Sequence, residues 1–216
     1  MSVIHRTTLE PTKLELLTEW LPRQPWFAGG GKPELEKAGG FRLDDPRGEV
    51  GIEFMVVRDS SGGGSDAYLV PLSYRGAPLP GAEQALVGTT EHGVLGRRWV
   101  YDGTHDPVLV AQLYALLAGA VEAQAQSLTD TPDPTVRASL AEEVRTASAE
   151  LLTVRELPAA SEIRVRTGAD GAELTLGVNR RLRTGAGIPP VLGEVGADWR
   201  QADGATVHGC FVEVRR

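Results

Sequence analysis

Val50-Gly51-Ile52-Glu53-Phe54-Met55-Val56-Val57 and Tyr68-Leu69-Val70-Pro71-Leu72-Ser73-Tyr74 decide how this chain is read. In the first run Val50, Ile52, Phe54 and Val56 alternate with Gly51, Glu53, Met55 and Val57. In the second Tyr68, Val70, Leu72 and Tyr74 alternate in the same way. A period of two marks a strand, because successive side chains leave opposite faces of a sheet. The intervening Asp59-Ser60-Ser61-Gly62-Gly63-Gly64-Ser65-Asp66 is rich in turn-forming residues, so the two runs read as a hairpin. Pro71 has no N–H to give to a ladder, which predicts an edge or a bulge for its strand.

Upstream, Thr12 to Leu21 reads as a helix. Thr12 can cap it, Glu15 stands at the capping-box position, and Leu14, Leu17 and Leu21 share one face. Pro22 ends it and a turn through Gly31 redirects the chain. Phe41 to Leu43 and Val94 to Tyr101 read as further strands. A helix followed by several antiparallel strands implies a curved sheet against a helix. Downstream, Pro107 behind Asp106 opens a second helix that runs to about Gln126. Thr129 to Pro134 reads as a hinge-like linker. Thr135 to Leu152 reads as a third helix through Val136, Leu140, Val144 and Leu151. Ile163 to Arg166 and Glu173 to Leu176 flank a Gly168-Ala169-Asp170-Gly171 turn, a hairpin signal. Val207 to Val214 reads as a last strand, with His208, Cys210, Val212 and Val214 on one side and Phe211, Glu213 and Arg215 on the other.

The chain of 216 residues is 41% hydrophobic and 24% charged, an ordinary globular composition. Its 29 acidic and 22 basic residues give a net charge of −7, which argues against a nucleic-acid or anionic-membrane partner. A single cysteine, Cys210, allows no intrachain disulfide and no cysteine zinc cluster; it reads as a half-buried thiol in a strand. No signal-peptide pattern opens the chain, and the apolar run from Leu109 to Val121 is too short to span a bilayer. A cytoplasmic protein is expected. Lysine occurs only at Lys13, Lys32 and Lys37.

The search for chemistry yields candidates for interaction rather than catalysis. Gly29-Gly30-Gly31-Lys32 lacks the glycine spacing and the following Ser or Thr of a phosphate loop. The glycines read instead as backbone freedom in a packed turn anchored by Trp26 and Phe27. Lys32 reads as solvated. The four histidines form no metal-ligand pattern, and no nucleophile–base arrangement is visible. Asp44-Asp45 reads as a turn, and His92 and His105 as loop and cap partners of their acidic neighbours. Arg97-Arg98 offers a possible hold for an anion. No cofactor or metal is expected.

The stretch from Leu21 through Pro25, Trp26, Phe27 and Ala28 to Lys32 resembles the opening signature of the N-terminal cap domain of bacterial maltokinases and related sugar kinases. Pro80-Gly81-Ala82-Glu83, Glu91-His92-Gly93-Val94-Leu95-Gly96 and Trp99-Val100-Tyr101-Asp102-Gly103 resemble the same domain. The resemblance covers residues 12–126 and implies a cystatin-like cap. The tail resembles a kinase nucleotide lobe. Val178 to Leu182 is similar to the strand that carries the nucleotide-binding lysine, and Asp198 to Val212 to the hairpin that leads to the hinge. A helix is expected to have been deleted between Thr184 and Gly187. Arg180 or Arg181 stands where a lysine would hold phosphate, and arginine differs from lysine in size and geometry. The catalytic aspartate and magnesium ligands of the family belong to a second lobe beyond Arg216.

The expected fold is therefore α+β: a cystatin-like curved antiparallel sheet with packed helices, then a small reduced kinase-lobe-like β module. The expected division is a cap at residues 1–128, a linker and helix at 129–157, and the β module at 158–216. The resemblance implies a non-catalytic binding or regulatory module beside enzymes of maltose, trehalose or glucan metabolism. The alternative is an accessory subunit that completes a sugar kinase with a separate catalytic lobe. Candidate interaction residues are Trp26, Phe27, Lys32, Arg97, Arg98 and Phe211. An open sheet edge near Phe211 predicts cover by a protein partner or a second copy of the chain, the alternative being that the helix read at 135–152 folds back over it.

Overall fold

The computed structural model describes residues 9–61, 66–126, 131–168, 171–184 and 191–216. The glycine-rich loop read at 62–65, the linker residues 127–130, the turn residues 169–170 and the segment 185–190 lie outside the described residues. The chain enters through β1 (Leu9–Glu10) and helix α1 (Lys13–Trp20). A meander follows, of β2 (Leu35–Asp44), β3 (Gly51–Asp59) and β4 (Asp66–Arg75), and then a hairpin of β5 (Leu86–His92) and β6 (Gly96–Asp102). Helix α2 (Pro107–Leu117) leads to the short strands β7 (Gln124–Ala125) and β8 (Arg137–Leu140). The remainder is β9 (Ala149–Glu156), β10 (Ala160–Thr167), β11 (Ala172–Asn179), the short β12 (Arg181–Leu182), β13 (Gly193–Arg200) and β14 (Thr206–Arg215).

These fourteen strands make one sheet in the order β1-β5-β6-β4-β3-β2-β13-β14-β11-β10-β9, with β12 on β4, β7 on β2 and β8 on β13. Every pairing is antiparallel. The α+β fold with a cystatin-like sheet and packed helices is thereby corrected to a mainly β fold, with two short α-helices among the described residues. The third helix is the main source of the difference. Residues 135–152 form β8, a single 3-10 turn at Glu142–Val144 and the start of β9. Val136, Leu140 and Val144 recur every four residues, and four is a multiple of the strand period as well as one step along a helix face. The second helix is also shorter than expected. Gly119 takes φ +74°, a left-handed position that closes the helix. Its N–H reaches the Leu116 carbonyl at 3.0 Å, and that of Ala120 reaches Ala115 at 2.8 Å.

The hairpin of β3 and β4 forms as read and lies at the centre of the molecule. Ile52, Phe54 and Val56 of β3 join Ala67 and Leu69 of β4 in a large core with α2 and the strands of the C-terminal half. Met55, Val57, Tyr68, Val70 and Leu72 point the other way, onto Leu17, Trp20, Leu21 and Trp26. Both faces are covered, so both residue sets are apolar. Pro71 is not on an edge strand. It is opposite Phe54 of β3, while β12 pairs with β4 at Ala67 and Tyr68 and β6 from Leu72 onward. The Leu69 N–H donates to the Arg180 carbonyl, away from β3. Pro71, two residues on, has its nitrogen directed to the same side, in the gap between two partner strands, where no N–H is required.

The C-terminal strand differs from its reading in two respects. β14 is flanked by β13 and β11, so it is not an edge. A bulge opposite Val195 and Gly196 inserts one extra residue, which flips the alternation of the strand. Phe211, Val212 and Val214 all face the large core in consequence. Phe211 stacks on Phe41 of β2 at 6.2 Å and lies 6.0 Å from Trp199. The cover over this region comes from the chain's own β2. The two halves of the sheet meet where Trp199 pairs with Gly39. A Cβ on Gly39 would stand 3.0 Å from the Asp198 carbonyl oxygen, so glycine permits the junction.

Candidate functional site

A cleft of about 790 Å³ opens beside the N-terminal end of α1. Its floor is Glu53 of β3, which is 3% exposed. Glu53 is the one charged residue inside an otherwise apolar stretch of strand, and three donors converge on it. Lys13 Nζ lies 2.5 Å from Oε2, the Tyr74 hydroxyl donates to Oε2 at 2.7 Å, and Gln126 Nε2 donates to Oε1 at 3.1 Å. Lys13 also stands 5.0 Å from the centre of the Tyr74 ring. Gly40, at φ +117°, makes room for Gln126, because a Cβ there would lie 2.8 Å from Nε2.

The ionisation of the floor follows from these contacts. Burial pushes the Glu53 carboxyl up, but the Lys13 charge, hydrogen bonds from Lys13 and Tyr74, and the Lys37 charge outweigh it and hold the group below its ordinary value. Burial and the adjacent Glu53 charge raise Tyr74 well above the usual phenol value. Burial lowers Lys37; Glu53 opposes this, and the neighbouring Lys13 and Arg42 charges add to it. Two of the chain's three lysines thus act on one buried carboxylate.

Four cations line the cleft: Lys13, Arg42, Arg75 and Arg98. Arg75 is committed to Asp106 through two bonds of 2.6 Å. Asp106 in turn caps α2 through the Val108 N–H at 2.9 Å. Arg42 donates through Nε to the Ala125 carbonyl at 3.3 Å. Arg42 Nη2 and Arg98 Nε are buried with no acceptor among the described residues. The mouth is formed in part by Leu95 on the β5–β6 hairpin, 47% exposed. That tip is held by His92, whose Nδ1 accepts from the Leu95 N–H at 3.1 Å.

A second cluster lies between the aromatic turn and the C-terminal half. Arg180 is fully buried. Its Nη2 lies 2.5 Å from Asp102 Oδ2 and 3.2 Å from Thr104 Oγ1, and its Nε donates to Ser161 Oγ at 2.5 Å. Glu156 Oε1 is 3.7 Å away. The guanidinium sits 4.8 Å from the centre of the Trp26 ring.

The sequence candidates therefore separate. Trp26 is 0% exposed and meets Trp20 edge-on at 5.7 Å. Phe27 is half-buried, 5.4 Å from Tyr68. None of Gly29, Gly30 and Gly31 takes a left-handed backbone; Gly29 is needed because a Cβ would strike the Phe27 ring at 2.2 Å. Lys32 is exposed and pairs with Glu19 at 2.9 Å. Arg97 is exposed and pairs with Glu91 at 2.9 Å. Phe211 is 0% exposed in the core, which corrects its reading as part of an open surface. Of the six, only Arg98 reaches the cleft. Asp45 makes the expected turn, accepting from the N–H groups of Arg47, Glu49 and Val50. Cys210 is half-buried in β14, and burial, followed by the charges of Glu213 and Glu194, pushes its thiol up to about 12. Among the described residues no group of three His, Cys, Asp or Glu side chains could hold a metal ion. No helix among them is long and apolar enough to cross a membrane.

Residues 20–106 match the family model described as the maltokinase N-terminal cap domain. Over these residues the chain is similar to that cap domain. The matched segment runs from the last residue of α1 through the aromatic turn and β2–β6 to Asp106, the cap of α2. No curated protein gives a match. The matched segment supplies Arg42, Glu53, Tyr74 and Arg98 to the cleft, and Trp26 and Asp102 to the Arg180 cluster. Lys13 and Arg180 come from outside the matched segment, so neighbouring parts of the chain complete both clusters.

Proposed function

We propose that the protein is a non-catalytic binding or regulatory module, acting beside the enzymes of maltose, trehalose or glucan metabolism in the cytoplasm. The observation that supports this reading most is the position of Arg180. In the sugar kinases that the tail resembles, a lysine near this place holds the nucleotide phosphates. Here the local cation is fully buried and held by Asp102 and Ser161. Turning it toward a phosphate would strand a buried carboxylate, at a cost of about 3–5 kcal/mol. Arg181 faces Asp66 at 3.6 Å on the side of β4. The cleft beside α1, in contrast, combines a rigid, charge-satisfied floor with cationic walls, which suits holding a ligand without transforming it.

The test is a coupled assay with magnesium, ATP and maltose, glucose or glucosamine, on protein freed of host kinases. No ADP above the blank is expected. ADP formation that scales with the protein would overturn the non-catalytic reading. Formation only after addition of a separate catalytic lobe would establish the accessory-subunit alternative.

A further inference from the structure

We infer that the mouth formed where the sheet closes on itself is a site for one phosphate dianion, free or carried by a small molecule, held by Arg58, Arg183 and Arg200. The mouth is separate from the cleft beside α1, and the inference does not rest on the non-catalytic reading.

The short strand β12 joins the two ends of the run β4-β3-β2-β13-β14. On one side it pairs with β4, Arg181 opposite Tyr68 and Leu182 opposite Ala67. On the other it continues the line of β11 along β14. Asn179 donates to the Cys210 carbonyl at 3.1 Å, and a Cβ on Gly209 would stand 2.7 Å from the Arg183 carbonyl oxygen. The strands β4, β3, β2, β13, β14 and β12 thus close into a ring whose neighbours alternate in direction. The strands β3, β12 and β13 run toward the same end of it. There a depression of about 410 Å³ opens, and each of these strands brings one arginine to its lining: Arg58 of β3, Arg183 just past β12 and Arg200 of β13. Thr184, Trp199 and Gln201 also line it, and no acidic residue does so among the described residues. The mouth of a closed sheet is a common place for a small ligand.

The three arginines have different freedom. Arg58 is a fixed charge in the wall, with its Nη2 on Glu36 at 2.6 Å. Arg183 and Arg200 are exposed, and no ion pair among the described residues includes them. The acids around the mouth are engaged elsewhere. Asp66 faces Arg181 at 3.6 Å and Asp198 meets His208 at 2.6 Å. Asp59 accepts from the N–H groups of Glu34 and Ser61, each at 3.0 Å, and Asp203 from that of Ala205 at 2.9 Å. With Glu36 set against Arg58, the charges of Arg183 and Arg200 stand uncompensated, in a chain of net charge −7. A dianion answers two such charges. A guanidinium presents its N–H donors as a planar fork, and phosphate accepts them in pairs. Because both side chains are exposed and uncommitted, they can turn onto an anion seated in the depression without breaking an existing pair; ordering them is the cost. The volume is that of a small-molecule site, which leaves room for an organic remainder on the phosphate.

Calorimetric titration of the intact protein at constant ionic strength, with inorganic phosphate, glycerol 3-phosphate, acetate and glycerol as probes, tests this. Inorganic phosphate or the ester should saturate one site at millimolar concentration or below. Acetate, with a single charge, should bind at least about tenfold more weakly, and glycerol should not bind. Tighter binding of the ester identifies a phosphate carried by a small molecule; an ester no tighter than inorganic phosphate identifies the free ion. Arg183→Gln and Arg200→Gln should each weaken phosphate binding at least about tenfold. Arg155→Gln, an exposed arginine on β9 paired with Glu162, should leave it unchanged. No saturation by either phosphate up to about 10 mM, acetate as tight as phosphate, or phosphate binding unchanged in Arg183→Gln and Arg200→Gln would each overturn the inference. Both arginines are exposed, so the variants should melt within about 2 °C of wild type. Saturation and the acetate comparison are read on the wild type, so a variant that fails to fold leaves the test decisive.

Discussion

Replacement of Arg180 by alanine isolates the contact that ties the aromatic turn to the C-terminal strands. Arg180 is 0% exposed and its partner Asp102 4%. The substitution leaves the Asp102 carboxylate without its cation. It also removes the donor to Ser161 and the cation over Trp26. Breaking a buried pair on one side costs about 3–5 kcal/mol. In a chain of this size each kcal/mol lowers Tm by about 2–4 °C, so a fall of roughly 6–20 °C is expected. Thermal unfolding followed by circular dichroism measures it. The wild type should melt in one transition, because β2, β3 and β4 share a core with β10, β11, β13 and β14. Arg180→Met combined with Asp102→Leu should recover much of the loss, since an apolar pair of similar volume strands no charge. A Tm for Arg180→Ala within about 2 °C of wild type would refute the reasoning. A double variant melting no higher than Arg180→Ala would show that lost packing, not stranded charge, sets the effect.

Three further outcomes are expected. Trp26→Ala should destabilise the protein by about 3–5 kcal/mol, read as a fall in Tm, because a fully buried indole is lost; a wild-type Tm would mean that the turn does not anchor the fold. The depressed Glu53 carboxyl contributes stability that is fully present above the unfolded value of about 4.3 and is lost as pH falls through the folded value. Denaturant titrations across the acid range should therefore show a shallower pH dependence for Glu53→Gln than for wild type, and identical slopes would reject this. Cys210, with its thiol pushed up to about 12, has roughly one thiolate in ten thousand at pH 8. A thiol-disulfide reagent should react slowly with native protein and quickly in guanidinium chloride, and equal rates would contradict the burial.

What was legible in the sequence was whatever is decided by neighbours along the chain. Thr12 and Glu15 form the expected capping box, with the Thr12 N–H donating to Glu15 at 2.7 Å. The alternation at Val50–Val57 and Tyr68–Tyr74 forms β3 and β4 in the register of a hairpin. The runs Ile163 to Arg166 and Glu173 to Leu176 pair antiparallel in β10 and β11. The failures arose where one pattern serves two structures. Apolar residues four apart suit a helix face and also one face of a strand, and Leu140 and Leu151 reach the core from β8 and β9. The bulge at Phe211 left no local signature, because its position is set by the partner strand β13. A proline inside a strand predicts an edge or a bulge, yet β12 and β6 divide the far side of β4 between them and leave Pro71 in the gap.

Of the candidate site, the sequence singled out only Arg98. Glu53 falls within the regular alternation of its strand, and nothing in the sequence singles it out. That its partners would be Lys13 at the start of α1, Tyr74 on the neighbouring strand β4 and Gln126 beyond β7 depends on the sheet order. Arg97 and Arg98 were adjacent candidates for holding an anion. The sheet resolves the pair, because neighbouring strand residues face opposite ways: Arg97 meets Glu91 at the surface while Arg98 enters the cleft. Arg42 carried no signal beside its neighbours, and only its pairing opposite Glu53 brings it there. The aromatic turn shows the same division. Two prolines and three glycines around Trp26 and Phe27 marked a packed turn, but the residue that seals Trp26 is Arg180, far along the chain. Arg180 is thereby bound into the scaffold, held by Asp102 and Ser161 beneath the Trp26 ring.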